Sequence, residues 1–93
     1  MPGPFEWDKV KSDECLRSRG FDFTIVEEFD FAQALIIEDT RFDYGERRFR
    51  AFGFVGEAAF SVVFTPRGES IRIISVRRAH ARELKRYGIA KKA

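Results

Sequence analysis

The sequence predicts an α+β fold in the order β-α-α-β-β-β-β-α, an antiparallel sheet with helices packed against it. Three observations predict it. Strand-like segments at Glu46–Val55, Ala58–Thr65 and Ser70–Arg78 follow one another, divided by turn signals at Gly56-Glu57 and Pro66-Arg67-Gly68. A stretch bounded by Asp8 and Gly20 has the two ends of a helix. Finally, 93 residues with 44% apolar content and eleven phenylalanines suffice for one core and no more.

The elements follow in order. Met1–Pro4 reads as a loose leader, and Phe5-Glu6-Trp7 as a short strand. The first helix has poor apolar spacing (Val10, Cys15, Leu16), so its prediction rests on its caps. Thr24-Ile25-Val26-Glu27 matches a capping box that opens a second helix through Phe31. Ala34–Glu38 is β-prone, and residues 39–45 read as a polar loop. Ile71 to Val76 is strongly β-branched. The last helix is expected over Ala79–Tyr87, ending at Gly88, with 89–93 a loose end. No linker divides the chain, so residues 1–93 are expected to form one domain. Trp7, Phe52, Phe54, Phe60 and Phe64 read as core.

Charge is the strongest functional signal. The net charge of +2 conceals a division: residues 1–46 carry −7 and residues 47–93 carry +9. The halves either neutralise each other or leave a basic face that attracts phosphates. Nine of the twelve cations in the second half fall on predicted strands or helix, Arg67 lies in a turn, and only Lys91 and Lys92 look like tail. The single cysteine, Cys15, forms no internal disulfide, which with the lack of a membrane span or apolar signal region points to the cytoplasm.

One His and one Cys make no zinc site, and no P-loop, GxGxxG or nucleophile elbow is present. Neither a metal nor another cofactor is expected. The acidic groups Glu27-Glu28-Asp30 and Glu38-Asp39 with Asp43 read as a solvated face rather than a metal site.

Arg48 and Arg50 are two apart in a predicted strand and so share a face. Arg72 and Arg78, with Ile74 and Val76, are expected on one face of the last strand, and Ser75 and Arg77 on the other. The following helix adds Arg82, Lys85, Arg86 and the donors of its N-terminus. Arginine suits anion binding because its planar fork clamps two phosphate oxygens. About half of these arginines are expected to pair with Glu83 and the acidic half instead. His80 is of the type that titrates near neutrality, and is either a proton carrier in RNA cleavage or an inert surface residue. Glu83 is a base, an organiser of an arginine, or the partner of Arg86 at i,i+3.

Phe5-Glu6-Trp7-Asp8 with Lys11 and Gly20, then Gly45-Glu46, Arg48 and Gly53, and finally Ile71–Ala79 with Arg82-Glu83 and Tyr87, resemble the motifs of the BrnT-type toxins in the right order. The resemblance implies a RelE-like fold and the toxin of a type II toxin–antitoxin pair, which inhibits translation by cleaving RNA without a metal. It also implies a BrnA-type antitoxin as partner, in dimeric or heterotetrameric assemblies. By matched position it points to Lys11, Arg48, Arg77, Arg78 and Glu83 as site residues; His80 joins them from the residue reading, with Arg50, Arg72, Arg82 and Arg86 as RNA-binding cations. The chain departs from the family's N-x-x-K-H-G, which reads Cys15, Ser18, Arg19 and Gly20 here, and His80 replaces a small hydroxyl residue. The alternative is a non-catalytic relative that binds the antitoxin or RNA without cutting it.

Overall fold

The computed structural model describes residues 4–89, so the predicted tail lysines and most of both loose ends lie outside it. Strand β1 (Phe5–Trp7) leads into helix α1 (Lys9–Arg19) and a 3-10 turn (Phe23–Glu27). Strands β2 (Leu35–Glu38), β3 (Phe49–Val55), β4 (Ala58–Arg67) and β5 (Ser70–Arg78) precede helix α2 (Ala81–Arg86). The α+β class is as expected, and the five strands and the two outer helices follow in the expected order, with a 3-10 turn in place of the second predicted helix. The sheet order is β1-β5-β4-β3-β2, and β1 runs parallel to β5 rather than antiparallel. The intervening α1 returns the chain to the far side of the sheet, which a tight hairpin cannot do.

Helix α1 is held at the ends the sequence marked. Asp8 Oδ1 accepts from the Val10 and Lys11 N–H groups, and Gly20 closes the helix at φ +87°. The next turn is capped by Asp22, not Thr24: both the N–H and the hydroxyl of Thr24 donate to Asp22 Oδ1. It stops at Glu27 as a 3-10 turn instead of continuing as an α-helix to Phe31. Strand β3 starts three residues later than predicted, because its neighbour β2 has only four residues. The Thr65 hydroxyl donates to the Arg47 carbonyl at 2.6 Å. Likewise α2 begins at Ala81 because the Ala79 N–H still belongs to the sheet, donating to the Ala59 carbonyl.

The core lies between the sheet and α1 with the 3-10 segment. Val62, Ile73 and Val76 from the strands meet Cys15, Phe23, Val26 and Phe29. Cys15 Sγ sits 3.6 Å from the Val76 carbonyl oxygen, while Val10 and Leu16 stay exposed on the outer side of the helix. Of the five aromatic residues expected in the core, Phe52, Phe60 and Phe64 are buried and Trp7 and Phe54 half-buried. A Cβ at Gly53 would lie 2.8 Å from Phe29 Cζ, itself buried and packed on the Phe31 ring. Gly53→Ala is therefore expected to destabilise by about 1–3 kcal/mol, read as a lower urea midpoint at unchanged slope.

Register decides which arginines share a face. Val63 pairs with Ser75 but Phe64 pairs with Ile73, so Ile74 is an extra residue in a bulge. That single insertion reverses the alternation between Arg72 and Arg78. Arg72 joins Ser75 and Arg77 opposite Thr65, Val63 and Ser61, whereas Arg78 lies with Val76 on the core side. The predicted pairing of Arg72 with Arg78 is thereby corrected. Among the described residues no helix is long and apolar enough to cross a membrane.

Candidate functional site

The face of the sheet away from α1 carries Arg50 and Phe52 from β3, Ser61 and Val63 from β4, and Arg72, Ser75 and Arg77 from β5. Helix α2 folds over one end of this face and delivers Glu83 and Tyr87 to it. Arg77 and Glu83 form a two-pronged pair at 2.8 and 2.7 Å, and Arg77 Nη1 also reaches the Arg78 carbonyl. Glu83 Oε1 accepts from the His80 N–H as well, fixing the first turn of α2. The Arg77 hydrogen bond, with that of the His80 N–H, holds the Glu83 carboxyl down to about 2 against the opposing effect of burial. Glu83 is thus an ionised organiser of Arg77 and no proton donor at neutral pH, and among the described residues it makes no pair with Arg86.

Arg50 is held differently. Its Nη2 donates to the Tyr87 hydroxyl at 3.3 Å, and its guanidinium carbon lies 5.6 Å from the centre of the Phe52 ring. Tyr87 rests on the same Phe52 at 5.1 Å between ring centres. No carboxylate pairs with Arg50 among the described residues, and its Nε is enclosed with no hydrogen-bond partner. A buried donor left open costs roughly 1–3 kcal/mol.

The other candidates are distributed more widely than expected. Arg72 pairs with Glu6 of β1 at 2.9 Å. Arg48 lies before β3 and not within it; it stacks 4.2 Å above Tyr44 and pairs with Glu46, which also meets Arg67. Arg77 is level with Phe52, four residues from Arg48 and so roughly 13 Å further along the strand direction. Arg78 lies on the opposite face from Arg77, over the Phe60 ring and donating to the Ala59 carbonyl. Lys11 belongs to α1, also across the sheet from Arg50 and Arg77. The expected cluster of Lys11, Arg48, Arg77 and Arg78 around one phosphate is not assembled.

His80 is exposed at the N-cap of α2, and Arg82 and Arg86 are exposed on its outer side. The expected division of the arginines is observed: Arg48, Arg72 and Arg77 have acidic partners, while Arg50, Arg78, Arg82 and Arg86 have none among the described residues. Arg50 is therefore the uncompensated arginine of this face, and Arg82 and Arg86 lie beyond it on the outer side of the helix that covers its end.

Asp39 departs from its predicted place on a solvated acidic face. It is buried, accepting both nitrogens of the Arg41 fork at 2.8 Å and the Tyr44 hydroxyl at 3.1 Å. Arg41 above all, with Tyr44, pulls its carboxyl far below the ordinary range. Among the described residues no group of three or more His, Cys, Asp or Glu is placed to hold a metal. Sequence reasoning gave Tyr87 no role beyond its place in the motif. Its spacing of four from Glu83 was the available signal, since both face the sheet from one side of α2.

Such a face offers fixed guanidinium groups to an anion, with an exposed imidazole at its margin. No curated protein matches the chain. Residues 7–83, which run from the last residue of β1 through β2 to β5 and as far as Glu83, match the family described as the ribonuclease toxin, BrnT, of type II toxin–antitoxin systems. The chain belongs to the BrnT family of ribonuclease toxins.

Proposed function

We propose that this chain is a RelE-like endoribonuclease toxin that acts in the cytoplasm, stops translation by cutting RNA without a metal ion, and is silenced by a BrnA-like antitoxin. The observation that carries the site assignment is Arg50, a half-buried guanidinium with no carboxylate partner among the described residues, held by Tyr87 through Nη2. A phosphate oxygen at its outer Nη groups supplies the counter-charge this guanidinium lacks, while the enclosed Nε stays out of reach. Arg82 and Arg86 extend the attraction along the RNA backbone, and Arg72 borders the same face.

In the proposed reaction the 2′-oxygen loses its proton and attacks phosphorus, while the 5′-oxygen leaves and gains a proton. Arg50 and the unused donors of Arg77 offset the charge that accumulates on the phosphate oxygens. Glu83 keeps Arg77 in place. His80 carries a proton, as the one imidazole beside this face. Arg48, Lys11 and Arg78 lie outside this site and serve binding or packing.

Purified wild-type protein is expected to cut RNA equally well with and without EDTA, and expression without antitoxin to arrest growth. Arg50→Ala should slow cleavage about 10²-fold, in the range for loss of one charge-stabilising donor, and relieve the arrest at equal protein level. A second reading has its own support: Glu83 is fixed in its ionised form, and Cys15 and Ser18 stand where the resemblance expects polar site residues. Cys15 is buried, and the Ser18 hydroxyl donates to the Glu14 carbonyl. RNA left intact under both conditions, but bound in a salt-dependent way, would establish this non-catalytic reading instead.

A further inference from the structure

Strand β2 forms one edge of the sheet. The Asp39 N–H donates to the Arg48 carbonyl at 2.7 Å, which makes this a hydrogen-bonded antiparallel pair. Alternation then places Ile37 with Arg50, and Leu35 with Phe52, in the same class. The N–H and C=O groups of Ile36 and Glu38 must therefore point outward, away from β3. That edge offers two donors and two acceptors to another strand. Natural edges are usually blunted by lysine or proline. β2 has neither, and it leaves Leu35 39% and Ile36 46% exposed.

Beside the start of β2 lies a cleft of about 800 Å³ lined in part by Glu28, Asp30, Gln33, Leu35, Phe54 and Tyr87. Glu28 and its neighbour Glu27 are exposed and have no partner among the described residues. The edge is thus apolar along the strand and acidic at its mouth, opposite in sign to the Arg50 face. A second copy added antiparallel would bring each Glu38 towards the Leu35 end of the other, where Glu28 and Asp30 stand. Like charges would meet at both ends, which disfavours self-pairing.

We propose that the open edge of β2 and its acidic cleft receive the antitoxin, which adds an extended segment bearing lysine or arginine as a sixth strand. The proposal rests on the antitoxin partnership above. It assigns that partnership to the sheet edge, which adjoins the RNA face at Tyr87, so the antitoxin's main grip is the β2 backbone and not the arginines.

The test uses the full chain and a BrnA-like antitoxin protein, the partner proposed above. Ile36→Lys and Glu28→Lys are each expected to weaken binding about tenfold or more. Ile36→Lys should still arrest growth when expressed alone, yet escape neutralisation. Amide hydrogen exchange adds a readout that needs no variant. Ile36 and Glu38 amides should become protected only in the complex, whereas Leu35 and Ile37 are protected in both states. If both variants fold and bind like the wild type, or the Ile36 amide is indifferent to the partner, the docking proposal is overturned. A wild-type homodimer that Ile36→Lys dissociates, with antitoxin binding unchanged, overturns it in favour of a second copy. Failure of the wild type to bind that antitoxin at all removes the partnership itself.

Discussion

Phe52→Ala is expected to lower stability by about 3–5 kcal/mol, seen as a fall in melting temperature of roughly 12 °C or more. Phe52 has no exposed surface, although it lies on the face of the sheet opposite the main core. Its ring supports Tyr87 from above and lies close to the Arg50 guanidinium. Truncation would leave a cavity beneath α2 that the sheet backbone cannot close. It would also unseat Tyr87, whose hydroxyl accepts from Arg50. RNA binding should therefore fall even under conditions where the variant is folded. Phe42, 72% exposed, is the control: Phe42→Ala should change stability by less than about 0.5 kcal/mol. Equal losses at the two positions would contradict the assignment of a second packed layer under α2.

That second layer was only partly legible in the sequence. Local chemistry was read well: Asp8 and Gly20 bound α1, and Gly56 and Gly68 take the positive φ that their turns require. Long-range pairing was not. The bulge at Ile74 has no local marker, because Ile71 to Val76 is β-branched throughout and either register fits its propensity. Yet that one residue decides which face Arg72 occupies relative to Arg78. The parallel seat of β1 also depends on a partner that lies over sixty residues away.

The site was legible in its residue types more than in its assembly. The arginine-rich junction of β5 and α2 was found, and so was the expectation that about half of the arginines would be neutralised. Which half could not be read, because the bulge at Ile74 decides the face of Arg72 and its acidic partner Glu6 lies 66 residues away in sequence. Asp22 was overlooked as a cap since Thr24 satisfied the same pattern, and only the backbone direction at Asp22 separates them. Asp39 looked solvated because nothing local announces that Arg41 and Tyr44 fold back onto it.

Acid should weaken the fold through Glu83, and the sign follows from its pairing. The carboxyl is held down to about 2 in the folded chain, against an ordinary value of 4.5. The unfolded chain thus binds the proton more readily, and the stabilisation is complete above pH 4.5 and is lost as pH falls towards 2. With Arg77 and Glu83 side chains 28% and 15% exposed, solvent screening reduces the loss to about 2 kcal/mol. Glu83→Gln removes this titration: the variant should be less stable than the wild type at pH 7 by about that amount, with the two converging near pH 2. Other carboxylates, Asp39 among them, titrate in both proteins and cancel in the difference. Parallel stability curves from pH 7 to 2 would show that Arg77 does not depress the Glu83 carboxyl. The same variant separates two roles in the reaction. Glutamine retains a side-chain oxygen to accept from Arg77 and the His80 N–H, so an organising role predicts less than about tenfold loss of cleavage. Transfer of a proton through Glu83 predicts a loss of about 10²–10⁴-fold instead, and with it the disappearance of an acid limb from the rate profile. The pair geometry favours the smaller loss, since both carboxylate oxygens are already committed to hydrogen bonds.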